Sequence, residues 1–194
     1  MSEFQLYLQL GLSHIADIQS YDHILFIISL SIIYPLKLWK KLLLLITAFT
    51  IGHSITLALA TLKIISIPTK LIEFLIPLTI FLTAFINIFQ KSDNFKPGTY
   101  KIKYLVALFF GLIHGMGFSN YLRSLLGKED SIAIPLLSFN VGIELGQILI
   151  VLIFTTISLL IVDIFKVKRR EWILILSGIA MGVALILMDE RFPW

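Results

Sequence analysis

Phe139-Asn140-Val141-Gly142-Ile143-Glu144-Leu145-Gly146-Gln147 decides how this chain is read. It lies inside an apolar run from about 132 to 162, and its only ionisable side chain is Glu144. A run longer than about 20 apolar residues is a candidate membrane-spanning helix. A carboxylate inside one is costly and by default marks a functional site. Asn140, Glu144 and Gln147 stand at i, i+4 and i+7, so on a helix they share one face within about 60°. Gly142 and Gly146 fall near the other face, as a small-xxx-small pair suited to close helix packing.

The rest of the 194 residues agrees with a bilayer as solvent. The chain is 58% hydrophobic and 14% charged, with a mean hydropathy of +0.94. Soluble domains run at about 45–50% apolar and about 25% charged. Apolar runs fall at about 22–36, 42–62, 70–90, 104–121, 132–162 and 172–188. The expected fold is all-α: one integral membrane domain over 1–194, a bundle of six transmembrane helices. Residues 3–11 are expected as an amphipathic helix lying in the interface. The fifth run is too long for a straight span, so part of it is expected in the outer interface, and the sequence shows no internal repeat of the kind common in transporters. The N-terminus lacks the basic region and cleavage site of a signal peptide.

The cations set the orientation. Lys37, Lys40, Lys41, Lys91, Lys96, Lys101, Lys103, Lys166, Lys168, Arg169 and Arg170 follow the odd-numbered spans; Lys63, Lys70, Arg123, Lys128 and Arg191 lie on the opposite side. Eleven of sixteen on one side puts the odd loops in the cytoplasm and both termini outside. The net charge of +4 is then a topology signal, and no nucleic-acid partner is expected. The expected location is the bacterial inner membrane, with the termini on the periplasmic side.

With no cysteine in the chain, a metal could be held only by nitrogen and oxygen ligands. The candidates are few: His23 beside Asp22, His53, His114 and Glu144, with His14 just before the first run. Asp17, Ser54, Glu73, Asn140 and Gln147 stand as supporting polar groups. At 1.5 Å per residue, His23, Glu73, His114, Asn140, His53 and Glu144 fall roughly 3 to 18 Å in from the outer ends of their spans. The expectation is a polar cup open to the outside and closed by apolar side chains toward the cytoplasm. Imidazole and carboxylate suit Zn, Ni, Co or Fe. Ser54 and Ser119 sit near histidines, but serine is ordinary packing glue between membrane helices.

Four stretches in order resemble the HupE/UreJ family of bacterial membrane proteins: Ser13-His14 through Tyr21-Asp22-His23-Ile24-Leu25-Phe26, Phe49 to Leu57, Gly111 to Phe118, and Phe139 to Gln147. That family is associated with hydrogenase and urease gene clusters and described as accessory proteins or permeases for nickel or cobalt. The resemblance implies that His14, Asp22 and His23 form its N-terminal His…Asp-His metal motif, and that His53, His114 and Glu144 match its other polar positions. Two departures leave the metal open among Ni, Co and Zn. Seven residues separate His14 from Asp22, wider than in the hydrogenase-linked branch, and Ile24-Leu25-Phe26-Ile27 stands where that branch has a Met.

Two functions fit these residues. One is a permease or uptake accessory protein for a divalent transition metal ion. Its partners are the lipid bilayer and the ion, with a homo-oligomer or an outer-side protein to complete the path. The other is an intramembrane metal-dependent hydrolase. There zinc held by three histidines would activate a water, Glu144 would be the base, and the substrate would be a lipid or membrane peptide.

Overall fold

A computed structural model describes residues 2–18, 21–90, 97–126 and 132–193. Among them there are helices and no strand: α1 Glu3–Ala16, α2 Asp22–Ser31, α3 Trp39–Thr61, α4 Thr69–Phe89, α5 Pro97–Gly117, α6 Ser119–Leu126, α7 Ala133–Leu159 and α8 Arg169–Glu190. A short 3-10 turn, Leu36–Leu38, leads into α3, and a π turn, Leu160–Ile164, prolongs α7. The loop cations Lys91, Lys96 and Lys128 lie outside the described residues.

Six spans were expected. Four helical segments are long and apolar enough to cross a membrane: Leu36–Thr61, Thr69–Phe89, Ala133–Ile164 and Arg169–Glu190. A fifth arises if Tyr100–Gly117 and Ser119–Leu126, bent by 48°, count as one. The first apolar run yields only the 10-residue α2, about 15 Å long against a hydrocarbon core of about 30 Å. The fifth run is one continuous helix of 32 residues, about 48 Å long.

The N-terminal helix, Glu3–Ala16, packs against α7. Its start is fixed by a capping box, with Ser2 and Gln5 exchanging hydrogen bonds. Its body is seated along α7. A Cβ on Gly11 would strike the backbone of Phe139 and stand 3.1 Å from Ile143 N, and a Cβ on Gly142 would strike that of Leu8. Tyr7 and Ile15 are buried there with Phe139 and Ile143. Contact advances in step along the two chains, since Gly146 then meets Ile15, so α1 and α7 run parallel. The leucines of α1 gave it the look of a surface helix, and the glycines of α7 supplied the groove that takes it.

A second seam joins α3 and α5. Gly52 meets the backbone of Leu108, Gly111 that of Phe49, and Gly115 that of His53, so this pair is parallel as well. Such contacts let backbones approach with no side chain between them. The α4–α8 pair is antiparallel: Phe74 packs edge-on to Phe192, 5.7 Å between centroids, while Arg170 at the start of α8 donates to Ile88 and Gln90 carbonyls at the end of α4. The α3 and α7 helices meet through side-chain hydrogen bonds from Thr47 to Glu144 and from Thr50 to Gln147.

Candidate metal centre

Four helices bring the four histidines of the chain together. His14 is in the last turn of α1, His23 is the second residue of α2, His53 is midway along α3, and His114 is in the last turn of α5. The His14 and His23 rings are 4.6 Å apart, His23 and His114 5.6 Å, and His14 and His53 6.3 Å. His53 is fully buried and His114 is 1% exposed. The seams explain the convergence, because Gly111 and Gly115 draw the His114 turn onto the backbone of Phe49 and His53.

Hydrogen bonds fix which nitrogens are left bare. His114 Nδ1 lies 2.8 Å from the Phe110 carbonyl. A carbonyl only accepts, so Nδ1 carries the proton and Nε2 carries a lone pair. His23 Nδ1 lies 3.0 Å from Asp22 Oδ1 as an ion-pair contact, without the geometry of a hydrogen bond. The Nε2 atoms of His14 and His114 and both nitrogens of His23 and of His53 are buried without a hydrogen-bond partner. Buried polar groups without partners are rare and call for an explanation.

Asp22 is fully engaged. Its Oδ1 accepts from the His23 backbone N–H at 2.9 Å and its Oδ2 from Arg191 at 3.0 Å. The carboxylate therefore stands behind His23 as an orienting group, the usual place for a carboxylate beside a ligating histidine. Glu144 uses Oε1 to accept from Thr47 at 2.6 Å, while Oε2 has no partner. Asn140 donates to the Leu136 carbonyl, Gln147 accepts from Thr50, and Ser54 donates to the Thr50 carbonyl. The Asn140 oxygen and the Gln147 amide nitrogen are left unpartnered.

A cavity of about 1080 Å³ opens onto this cluster, lined by His14, Asp17, Asp22, His23, Glu73 and His114 among others. It lies at the end of the bundle where α4 begins, at Glu73, and α8 ends, at Arg191. His53, Asn140, Glu144 and Gln147 are not among its lining residues. Five phenylalanines wall the cluster. His114 packs on Phe26, Phe49 and, through its hydrogen bond, the Phe110 turn; His14 packs on Phe118 at 4.0 Å, which stacks on Phe139 at 5.0 Å.

Among the described residues, no three His, Asp or Glu side chains stand as a ready ligand set. Ring centroids 4.6–6.3 Å apart are near enough for imidazoles to share an ion at metal–nitrogen bonds of about 2.0–2.1 Å, so the cluster lacks the aim of a ligand set rather than the proximity. Sequence reasoning also missed two contributors. Arg191 was counted only among loop cations, yet it holds Asp22. The phenylalanine wall gave no signal, since phenylalanine is abundant throughout the chain.

A family model described as HupE / UreJ protein matches residues 1–189. No curated protein and no solved structure matches the chain.

Proposed function

The chain belongs to the HupE/UreJ family, and from that premise we propose that it is a membrane permease for a divalent transition metal ion, with the histidine cluster as its binding station. The family is associated with accessory roles in nickel and cobalt uptake. The observation that carries the proposal is the set of buried imidazole nitrogens with lone pairs and no partner. Leaving such a group unpaired in a dry interior costs about 1–3 kcal/mol, and a soft-to-borderline cation is the partner that imidazole suits.

The ion enters the cavity hydrated, past Glu73 and Asp17, whose charges favour a cation. It exchanges water for His23 Nε2 and His114 Nε2, then for His14 and His53 as those rings turn inward. Asp22, 3.0 Å from His23 Nδ1, favours a proton on that nitrogen and so leaves Nε2 as the donor of electrons. Glu144, with one free oxygen, offsets the ion's charge from α7. Nickel, cobalt and zinc all fit this donor set. The excess of Lys and Arg on odd loops supports an inner-membrane protein with termini and cavity on the outer face.

The hydrolase alternative needs a free carboxylate facing a metal-bound water. Glu144 is bonded to Thr47 and does not line the cavity, so nothing favours that reading.

The test is metal binding to the purified protein in nanodiscs, paired with accumulation in cells. Stoichiometric Co²⁺ or Ni²⁺ binding, lost in His114→Ala together with cellular accumulation, is the expected result. Undiminished binding in that variant, or tight binding with no accumulation by the native chain, overturns the proposal.

A further inference from the structure

The two glycine seams are copies of each other, contact for contact. On α1 and α5 the chain reads Gly11-Leu12-Ser13-His14 and Gly111-Leu112-Ile113-His114; on α3 and α7 it reads Phe49-Thr50-Ile51-Gly52 and Phe139-Asn140-Val141-Gly142. A Cβ on Gly11 meets Phe139 O and, at 3.1 Å, Ile143 N; one on Gly111 meets Phe49 O and, at 3.0 Å, His53 N. A Cβ on Gly142 meets Leu8 O and, at 2.9 Å, Leu12 N; one on Gly52 meets Leu108 O and, at 3.0 Å, Leu112 N. Each contact in one seam becomes its mate in the other by adding 100 on α1 and subtracting 90 on α7. Where α5 has Gly115 against Thr56, α1 has Ile15 against Gly146, the same fit with the small residue moved to the other partner.

The remaining elements follow the same rule. Each copy opens with a helix that stops at a break, Ala16 before Asp22 in one and Gly117 before Ser119 in the other, and then gives a short helix and two long ones. Its last helix, α4 or α8, packs antiparallel on its own mate. Leu57, late in α3, shares a core with Phe139, early in α7, so the parallel pair α3–α5 runs opposite to the parallel pair α1–α7. The first half, 3–89, therefore has the reverse topology of the second, 97–190.

Two halves of opposite topology are related by an axis across the helices, and transporters built this way hold their substrate where the halves meet, at broken helices. Here His14 and His114 are mates, each in the last turn before a break, and both lie against His23. We infer that the chain is an inverted repeat whose two-fold axis passes through the histidine cluster, so that the two halves exchange conformations to present one ion site to either face. The inference rests on the permease reading and supplies what that reading lacks, a route from the cavity to the far face. The halves now differ at their breaks: Ile18 is 82% exposed, whereas its mate Phe118 is half-buried on His14 and Phe139. The opposite-facing state reverses that difference.

The axis makes a sharp demand on His53. Its mate on α7 is Ile143, since these are the residues whose backbone N–H groups face Gly111 and Gly11. Co²⁺ binding in nanodiscs is measured for His53→Ile and for the double variant His53→Ile/Ile143→His. The expected result is a loss of tenfold or more, on the order found when a metal site is disturbed, and recovery of most of it in the double variant. A folded double variant with no recovery overturns the inference. Hydrogen exchange on the unaltered protein, with and without Co²⁺, tests it without any substitution. Amides at Asp17 and Ile18 and those at Phe118 and Ser119 are expected to shift in opposite senses; any other pattern overturns the inference. Undiminished binding by His53→Ile removes His53 from the ligand set of the permease reading, and the exchange pattern then decides the repeat by itself.

Discussion

Arg191 donates to Asp22 at 3.0 Å, across 169 positions of the chain, and through that carboxylate it bears on the ring of His23. The end of α8 is thereby tied to the start of α2, at the rim of the cavity. Asp22 is 6% exposed, so its charge depends on these two neighbours.

Removing the guanidinium leaves a buried carboxylate short of a partner and loosens the hold on His23. Arg191→Ala is expected to weaken Co²⁺ affinity about 10- to 100-fold, the cost of losing an outer-shell partner, with Arg191→Lys recovering part of it. Isothermal titration in nanodiscs reads both. Equal affinities in all three proteins would mean that Asp22 does not act through His23.

The seams predict a contrast among glycines. Gly11→Ala and Gly111→Ala each drive a methyl into a backbone carbonyl, which no rotamer change relieves, and are expected to destabilise by ~1–3 kcal/mol or more. Gly178, on α8, has nothing within 4 Å of an added Cβ, so Gly178→Ala is expected to be neutral or stabilising by up to about 1 kcal/mol. Thermal unfolding in one detergent compares the three directly.

Thr47→Val removes the one hydrogen-bond donor to Glu144 found among the described residues. A loss of about 1–3 kcal/mol is expected, from leaving a largely desolvated acceptor unpaired. Because the Glu144 carboxyl itself is kept, metal binding should fall less than in Glu144→Gln. The reverse order would place Thr47 rather than Glu144 at the ion.

Ligand linkage gives a prediction independent of substitution. Co²⁺ at about 100 times its dissociation constant should stabilise the folded protein by about 2.7 kcal/mol, and His114→Ala should abolish the gain. Protons compete with metal for the same imidazole lone pairs, so the stabilisation should shrink as pH falls and grow as it rises. A shift that is flat with pH would point to carboxylate ligands alone.

Much of the site was legible because a bilayer makes polar residues conspicuous. His53, His114 and Glu144 stood out in runs of leucine and isoleucine, and the histidines do converge. The role of Asp22 was not legible, because pairing with Arg191 depends on where the last helix ends. The position of α1 was missed for a related reason: Gly142 and Gly146 announced a close neighbour without saying which. The repeat escaped notice because it survives in a handful of positions. Leucine, isoleucine and phenylalanine interchange freely in an apolar environment and erase similarity, whereas a glycine under a carbonyl cannot be replaced. Hydropathy also gave no sign that only Asp22–Ser31 of the first run is helical, because the turn after it, Ile32-Ile33-Tyr34, is apolar as well.

The length of α7 carries one more consequence. A continuous apolar helix of 32 residues exceeds a typical hydrocarbon core by about 18 Å, and an overlong helix leans until it fits, leaning further as the bilayer thins. The seam at Gly11 and Gly142 ties α1 to that helix. Shorter acyl chains are therefore expected to change the lean of α7 and, with it, the seat of α1.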